Sequence, residues 1–198
     1  MQAKTLHARE AVLASAVKAF ARHGYAGTSV QDILEATGLS KPTVYYYFES
    51  KAGLFRAILA FAYDESFRLM QAAVSSKDAC AQRLTGVASA LFDFASRHQD
   101  LTRLVFATVF AAPGEIPEHA IDPERRRRNF EFVLSIVREG QKAGELDRSY
   151  EPVDLAHGIF GPISHRIRAQ LIQPQGRLDS QLAERVVSLF FNGARKRK

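Results

Sequence analysis

TSVQDILEATGLSKPTVYYYFESKAGLF, residues 28–55, is the stretch whose reading decides the fold. Thr28-Ser29 is a helix-start pair, and Val30, Ile33 and Leu34 behind it recur on one helical face. Gly38 ends that short helix, because glycine enters the left-handed conformation a sharp turn needs. Ser40 then opens a second short helix, with Lys41-Pro42 in its first turn, where proline is tolerated. Two short helices joined by a glycine turn describe a helix-turn-helix, with Ile33, Leu39, Val44 and Tyr47 as its small core. With roughly 100° per residue and Val44 facing inward, Phe48 and Tyr47 fall on the inner side. Pro42, Thr43, Tyr45 and Tyr46 face away. Outward aromatic side chains are poorly suited to bare solvent but well suited to DNA, where phenolic hydroxyls reach phosphates or base edges.

Working outward, the whole chain reads as all-α, with about nine helices and almost no strand-like alternation. A first helix is expected from about Ala8 to His23, with Val12, Leu13, Ala16, Val17 and Phe20 on one face and Gly24 as its stop. Ser50 caps a long fourth helix reaching about Ala73. Further helices are expected at 78–97, 100–112, 123–143, 152–172 and 179–192, with 113–122 as the one long loop and Pro174 and Gly176 ending the penultimate helix. The chain divides into a DNA-binding domain at 5–56, a helical body at 57–194 and a basic tail at 195–198.

Charge placement agrees. Residues 1–56 carry seven basic and four acidic side chains, the middle is close to neutral, and Arg195-Lys196-Arg197-Lys198 closes the chain. A basic front on a neutral body suggests a polyanionic partner there. The lone Cys80 excludes an internal disulfide and fits a reducing compartment. No uncharged run exceeds 11 residues, too short to span a bilayer, and charged residues interrupt the N-terminus, so no secretory signal and a cytoplasmic location are expected.

The run Gly24-Tyr25, Thr28-Ser29-Val30, Ile33, Gly38-Leu39-Ser40-Lys41, Thr43 to Phe48, Lys51 and Leu54-Phe55 resembles the TetR (tetracycline repressor) family over residues 5 to about 56. The resemblance implies a dimeric all-α repressor: a three-helix DNA-binding head joined by a long fourth helix to a body that is an effector-binding and dimerisation domain at 57–194. It implies that Thr28 or Ser29 contacts phosphate, that Ser40, Lys41, Pro42, Thr43, Tyr45 and Tyr46 form the recognition surface with Tyr47 at its edge, and that Lys51 binds phosphate. Leu34 and Thr37 depart from the family pattern, where alanine is common.

The remainder carries no catalytic constellation, no metal-ligand spacing and no cofactor loop, so neither an enzyme nor a cofactor is expected. The run Arg125–Arg128 reads as a solvated helix face, with Asp122, Glu124 and Glu131 at pairing distance. A pocket in the body would be walled by Phe92, Phe106, Phe110 and Phe160 with Arg103, Thr108 or His165 as polar anchors, suiting a small, largely hydrophobic effector. The alternative is a body that docks a protein partner. The apolar stripes Leu155, Ile159, Ile163, Ile167 and Leu182, Val186, Leu189, Phe190 are expected to form a homodimer interface, with Gly158 and Gly161 allowing close approach. The expected partners are double-stranded operator DNA, a second copy of the chain and an unidentified effector, with no membrane.

Overall fold

The computed structural model describes residues 2–173 and 176–194; Pro174 and the basic tail at 195–198 lie outside the described residues. Among the described residues there are nine α-helices and one 3-10 turn: α1 (Gln2–Gly27), α2 (Val30–Thr37), α3 (Lys41–Phe48), α4 (Lys51–Ala72), α5 (Cys80–Arg97), α6 (Gln99–Phe110), the turn Glu118–Ala120, α7 (Pro123–Lys142), α8 (Pro152–Ile172) and α9 (Ser180–Ala194). Gly24, at φ 71° and ψ 175°, is non-helical within α1, at the expected stop. None of these helices is long and apolar enough to cross a membrane.

The helices form two compact units. The first comprises residues 1–62 and 100–123, so α6 and the following segment group with the N-terminal residues although the sequence reading assigns them to the body. Within it, α1 packs on α2 and α3. Val12, Ala16 and Phe20 of α1, Ile33 and Leu34 of α2, Val44 and Phe48 of α3, and Leu54, Phe55 and Ile58 of α4 are buried. The Phe55 ring stands edge-on to Phe20 and Tyr25 at 5.0 and 5.1 Å. Leu34 adds its side chain to this core, and Thr37 turns its hydroxyl back onto the carbonyls of Ile33 and Leu34, so both family departures are absorbed locally.

Local chemistry fixes each boundary. Ser29 accepts from the Asp32 N–H at 3.1 Å while its own N–H donates to the Asp32 carboxylate at 2.8 Å, a reciprocal cap worth about 1 kcal/mol. Gly38 (φ 66°) closes α2 by donating to the Leu34 carbonyl at 2.8 Å. Between α3 and α4 the chain makes a γ-turn: Ser50 N–H donates to the Phe48 carbonyl at 2.6 Å around Glu49, a non-glycine residue at φ 62° and ψ −38°. Such a backbone costs about 1–3 kcal/mol. The Ser50 hydroxyl then accepts from the Gly53 N–H at 2.9 Å, the predicted cap of α4.

The second unit, residues 63–99 and 124–198, is built on α5 packed against α8 and α9, and α8 on α9. Here the sequence reading needs correction. Leu155, Ile159, Ile163, Ile167 and Val186 are buried within the unit and are its own core, leaving only Leu182 and Phe190 (half-buried) and Leu189 (68% exposed) of the expected interface stripe accessible. The ring of Phe190 lies against Gly158, so part of what the glycine admits is intramolecular.

The arginine run is also not a bare face. Arg125 and Arg128 both reach the Asp64 carboxylate of α4, at 3.1 and 2.9 Å, and Asn129 donates to the Tyr63 carbonyl at 3.0 Å. The Arg128 guanidinium lies 4.2 Å from the centre of the Phe67 ring. Arg127 takes the expected neighbour, Glu124, and Glu131 pairs with Arg138. Cys80 is buried beside Gly140, its Sγ 3.7 Å from the Ile136 carbonyl, and burial together with Glu145 pushes its thiol up to about 12.

The joint between α3 and α4 yields two expectations of opposite sign. Glu49→Gly relieves the γ-turn and should raise stability by about 1 kcal/mol. Gly53→Ala would drive its Cβ into the Phe48 carbonyl and should cost about 1–3 kcal/mol. Urea unfolding of the two variants measures both.

Candidate nucleic-acid interface

The burial of Val44 and Phe48 fixes the rotation of α3. Lys41, Pro42, Tyr45 and Tyr46 are thereby exposed, Tyr46 at 81%, while Thr43 and Tyr47 are half-buried at the edges. The Tyr46 and Tyr47 rings meet edge-to-face at 5.3 Å, and the Lys41 ammonium lies 5.8 Å from the Tyr45 ring centre. The Ser40 and Thr43 hydroxyls share a hydrogen bond of 2.8 Å, so Ser40 does not use its side chain to cap the helix. The surface offered outward is aromatic, hydroxylic and cationic, the inventory that reads base edges and phosphates.

Beside it lies an open concavity of about 560 Å³ formed by residues 26–31 at the start of α2, closed by Lys41, Tyr45 and Lys51. A helix N-terminus and two ammonium groups make this an anion site. Lys51 Nζ sits 4.4 Å from the centre of the Tyr25 ring, a cation–π contact that holds the side chain in place. Partial burial lowers the Lys51 pKa, and the Asp32 charge opposes that shift. Asp32 is itself held below the usual carboxylate range by its bonds to the Ser29 backbone and hydroxyl.

Thr28 corrects the reading. Its side chain is 1% exposed and its hydroxyl donates to the Gly24 carbonyl at 2.8 Å, so it locks the α1–α2 turn and is closed to phosphate. Ser29 is exposed, and its hydroxyl accepts from the Asp32 N–H. Tyr25 was missed as a site residue, because nothing in the spacing says that a ring 26 positions before Lys51 will lie beneath its ammonium.

The expected pocket residues are divided between the units. In the first, Arg103 is exposed and near Asp100 (3.8 Å), Thr108 donates to the Val105 carbonyl at 2.7 Å, Phe106 is half-buried and Phe110 is 67% exposed. In the second, Phe92 is wholly buried, Phe160 stands edge-on to Phe130 at 6.2 Å, and His165 is exposed.

A tri-helical head with this outward face defines a helix-turn-helix regulator. Residues 12–58 match the family model of bacterial regulatory proteins, tetR family. The chain is 53% identical over 51 residues to the HTH-type transcriptional repressor ComR of Escherichia coli, covering 26% of this chain and 24% of that one. It is 24% identical over 200 residues to an uncharacterised HTH-type transcriptional regulator, YdgC, of Bacillus subtilis, covering 98% and 95%. A TetR-family regulator from Marinobacter aquaeolei superposes with a TM-score of 0.80 at 24% identity over the full length of both chains. FadR of Bacillus subtilis, solved with stearoyl-CoA, superposes with a TM-score of 0.82 at 19% identity, covering 93% and 98%. Residues 12–58 thus carry a tetR-type DNA-binding domain, and the chain as a whole has the fold of TetR-family regulators.

Lys51→Ala should weaken binding to every duplex alike and flatten the slope of log affinity against log salt by about 1 per protomer. Tyr25→Phe, which keeps the ring, should leave both unchanged, whereas Tyr25→Leu should cost about 0.5–1 kcal/mol of affinity. Anisotropy titrations of several labelled duplexes of different sequence across a salt series read all three.

Proposed function

We propose that this protein represses transcription by binding a palindromic operator as a homodimer, and that a small, largely hydrophobic ligand releases it. The observation that carries the DNA-binding part is the fixed rotation of α3, which turns Lys41, Pro42, Tyr45 and Tyr46 outward beside the Lys51 concavity. In this reading Ser29 and Lys51 hold phosphates, while Ser40, Thr43, Tyr45 and Tyr46 read the major groove with Tyr47 at the edge. Leu189, with Phe190 at its flank and Gly158 and Gly161 exposed on α8, supplies the surface for an isologous contact between copies.

Release follows from α4. Its first turn carries Lys51, and Tyr63 and Asp64 further along are held by Asn129, Arg125 and Arg128 of α7. A ligand that displaces α7 would pull on that grip and change the spacing of two recognition helices. The shared fold with a regulator solved with stearoyl-CoA supports an apolar ligand class.

Selection from a random duplex pool should return a palindrome whose half-sites lie about 34–36 Å apart. Tyr46→Ala or Thr43→Ala should then shift base preference, by about 1–3 kcal/mol at particular positions, rather than weaken all sequences equally. A true effector should bind about 5–150-fold more weakly in the presence of operator, by reciprocity. Calorimetric affinities that are equal with and without operator would favour a protein partner for the body.

A further inference from the structure

The second unit holds a feature that DNA binding does not use. Where α8 ends and α9 begins, an open cleft of about 820 Å³ is lined by Arg166 and Arg168 of α8, Arg177 of the connection and Arg185 of α9, with Ile172 and Leu182 as apolar wall. No aspartate or glutamate lines it. Several exposed arginines elsewhere pair with local acids, as Arg68 does with Glu65, Arg97 with Asp93 and Arg127 with Glu124. Among the described residues, Arg166, Arg177 and Arg185 have no such partner.

The nearby acids are accounted for. The Asp179 carboxylate accepts from the Leu182 N–H at 2.8 Å and so caps α9. Glu184 lines a different groove, with Ala81 and Thr85 of α5. Arg168 reaches the His165 Nδ1 at 3.3 Å, which adds no negative charge. Among the described residues, three guanidinium groups, those of Arg166, Arg177 and Arg185, therefore border one cleft without an acid partner, beside Ile172, which is 70% exposed. Like charges gathered this way repel one another until an anion enters, and guanidinium forks match the geometry of phosphate oxygens in pairs.

We propose that the cleft between the C-terminal end of α8 and the start of α9 binds a small organic diphosphate, its charge on Arg166, Arg177 and Arg185 and its apolar portion on Ile172 and Leu182. The diphosphate is favoured over a single carboxylate because at least three separate guanidiniums need oxygens. An apolar tail is favoured because a large aliphatic side chain is exposed at the rim. The site is independent of the DNA-contacting residues, so its failure leaves the regulatory reading untouched.

Calorimetry on the full chain, with inorganic pyrophosphate and with geranyl diphosphate below its micellar concentration, tests this. Geranyl diphosphate should bind at least tenfold tighter than pyrophosphate at 0.15 M salt. Arg177→Ala/Arg185→Ala should weaken both at least tenfold, Ile172→Ser should weaken only the geranyl compound, and Arg97→Ala, at an exposed arginine paired with Asp93, should change neither. Circular dichroism establishes that each variant is folded. Loss of binding in Lys51→Ala would assign the anion to the α2 concavity and overturn the proposal. Equal affinity of the wild type and the arginine variant would do the same. Binding to phosphatidic acid vesicles without binding to the soluble diphosphate would make the cleft a lipid-surface contact, and weaker duplex binding by the arginine variant without loss of diphosphate would make it a DNA contact; either outcome overturns the small-ligand site.

Discussion

An eight-residue helix has almost no stability of its own in water, so α3 exists because Val44 and Phe48 are buried against α1 and α2. That pair of side chains sets both the position and the rotation of the helix. Everything offered outward, from Lys41 to Tyr46, is a consequence of which two residues went inward. The surrounding devices serve the same constraint. Thr28 closes the turn from α1, Gly38 reverses the chain after α2, and the γ-turn at Glu49 delivers α4 so that Lys51 arrives beside the start of α2. The strained backbone at Glu49 persists because the packing on either side over-determines it.

This arrangement was legible in the sequence because it is encoded locally. Capping serine, glycine stop, proline in a first turn and apolar spacing are all short-range signals, and they placed α2, α3 and the start of α4 within a residue or two. Long-range facts were not legible. The stripe of Leu155, Ile159, Ile163 and Ile167 announces a buried face but not whether the same chain or a second copy covers it, and α5 and α9 cover it. The Arg125–Arg128 run could be matched to acids three or four positions away, whereas its main partner, Asp64, is some sixty residues distant in sequence. Thr28 looked like a surface hydroxyl because helix-start residues usually are; the kink at Gly24 brings a free carbonyl to it instead.

The second unit shows how charge is divided between structure and surface. Arg125 and Arg128 are spent on holding a carboxylate and a ring of α4, each pair being partly exposed and individually modest, with buried Asn129 adding a hydrogen bond to a helix carbonyl. Arg83, nearly buried, pairs with Glu139 across α5 and α7. Among the described residues, Arg166 of α8 and Arg185 of α9 have no such acid partner, so the same residue type has different meanings at two places in one chain.

Cys80 gives the molecule a practical property. It is the single cysteine of the sequence, it is enclosed by Gly140 and Ile136, and its thiol stays protonated far above neutral pH. Since the thiolate is the reactive species, the folded chain behaves toward alkylating reagents as though it had no cysteine at all. A thiol introduced at an exposed position such as Leu189 or Phe110 would therefore be the only one to take a maleimide dye or spin label. Distances between two copies, or between one unit and a bound duplex, become measurable without first removing a native residue from the core.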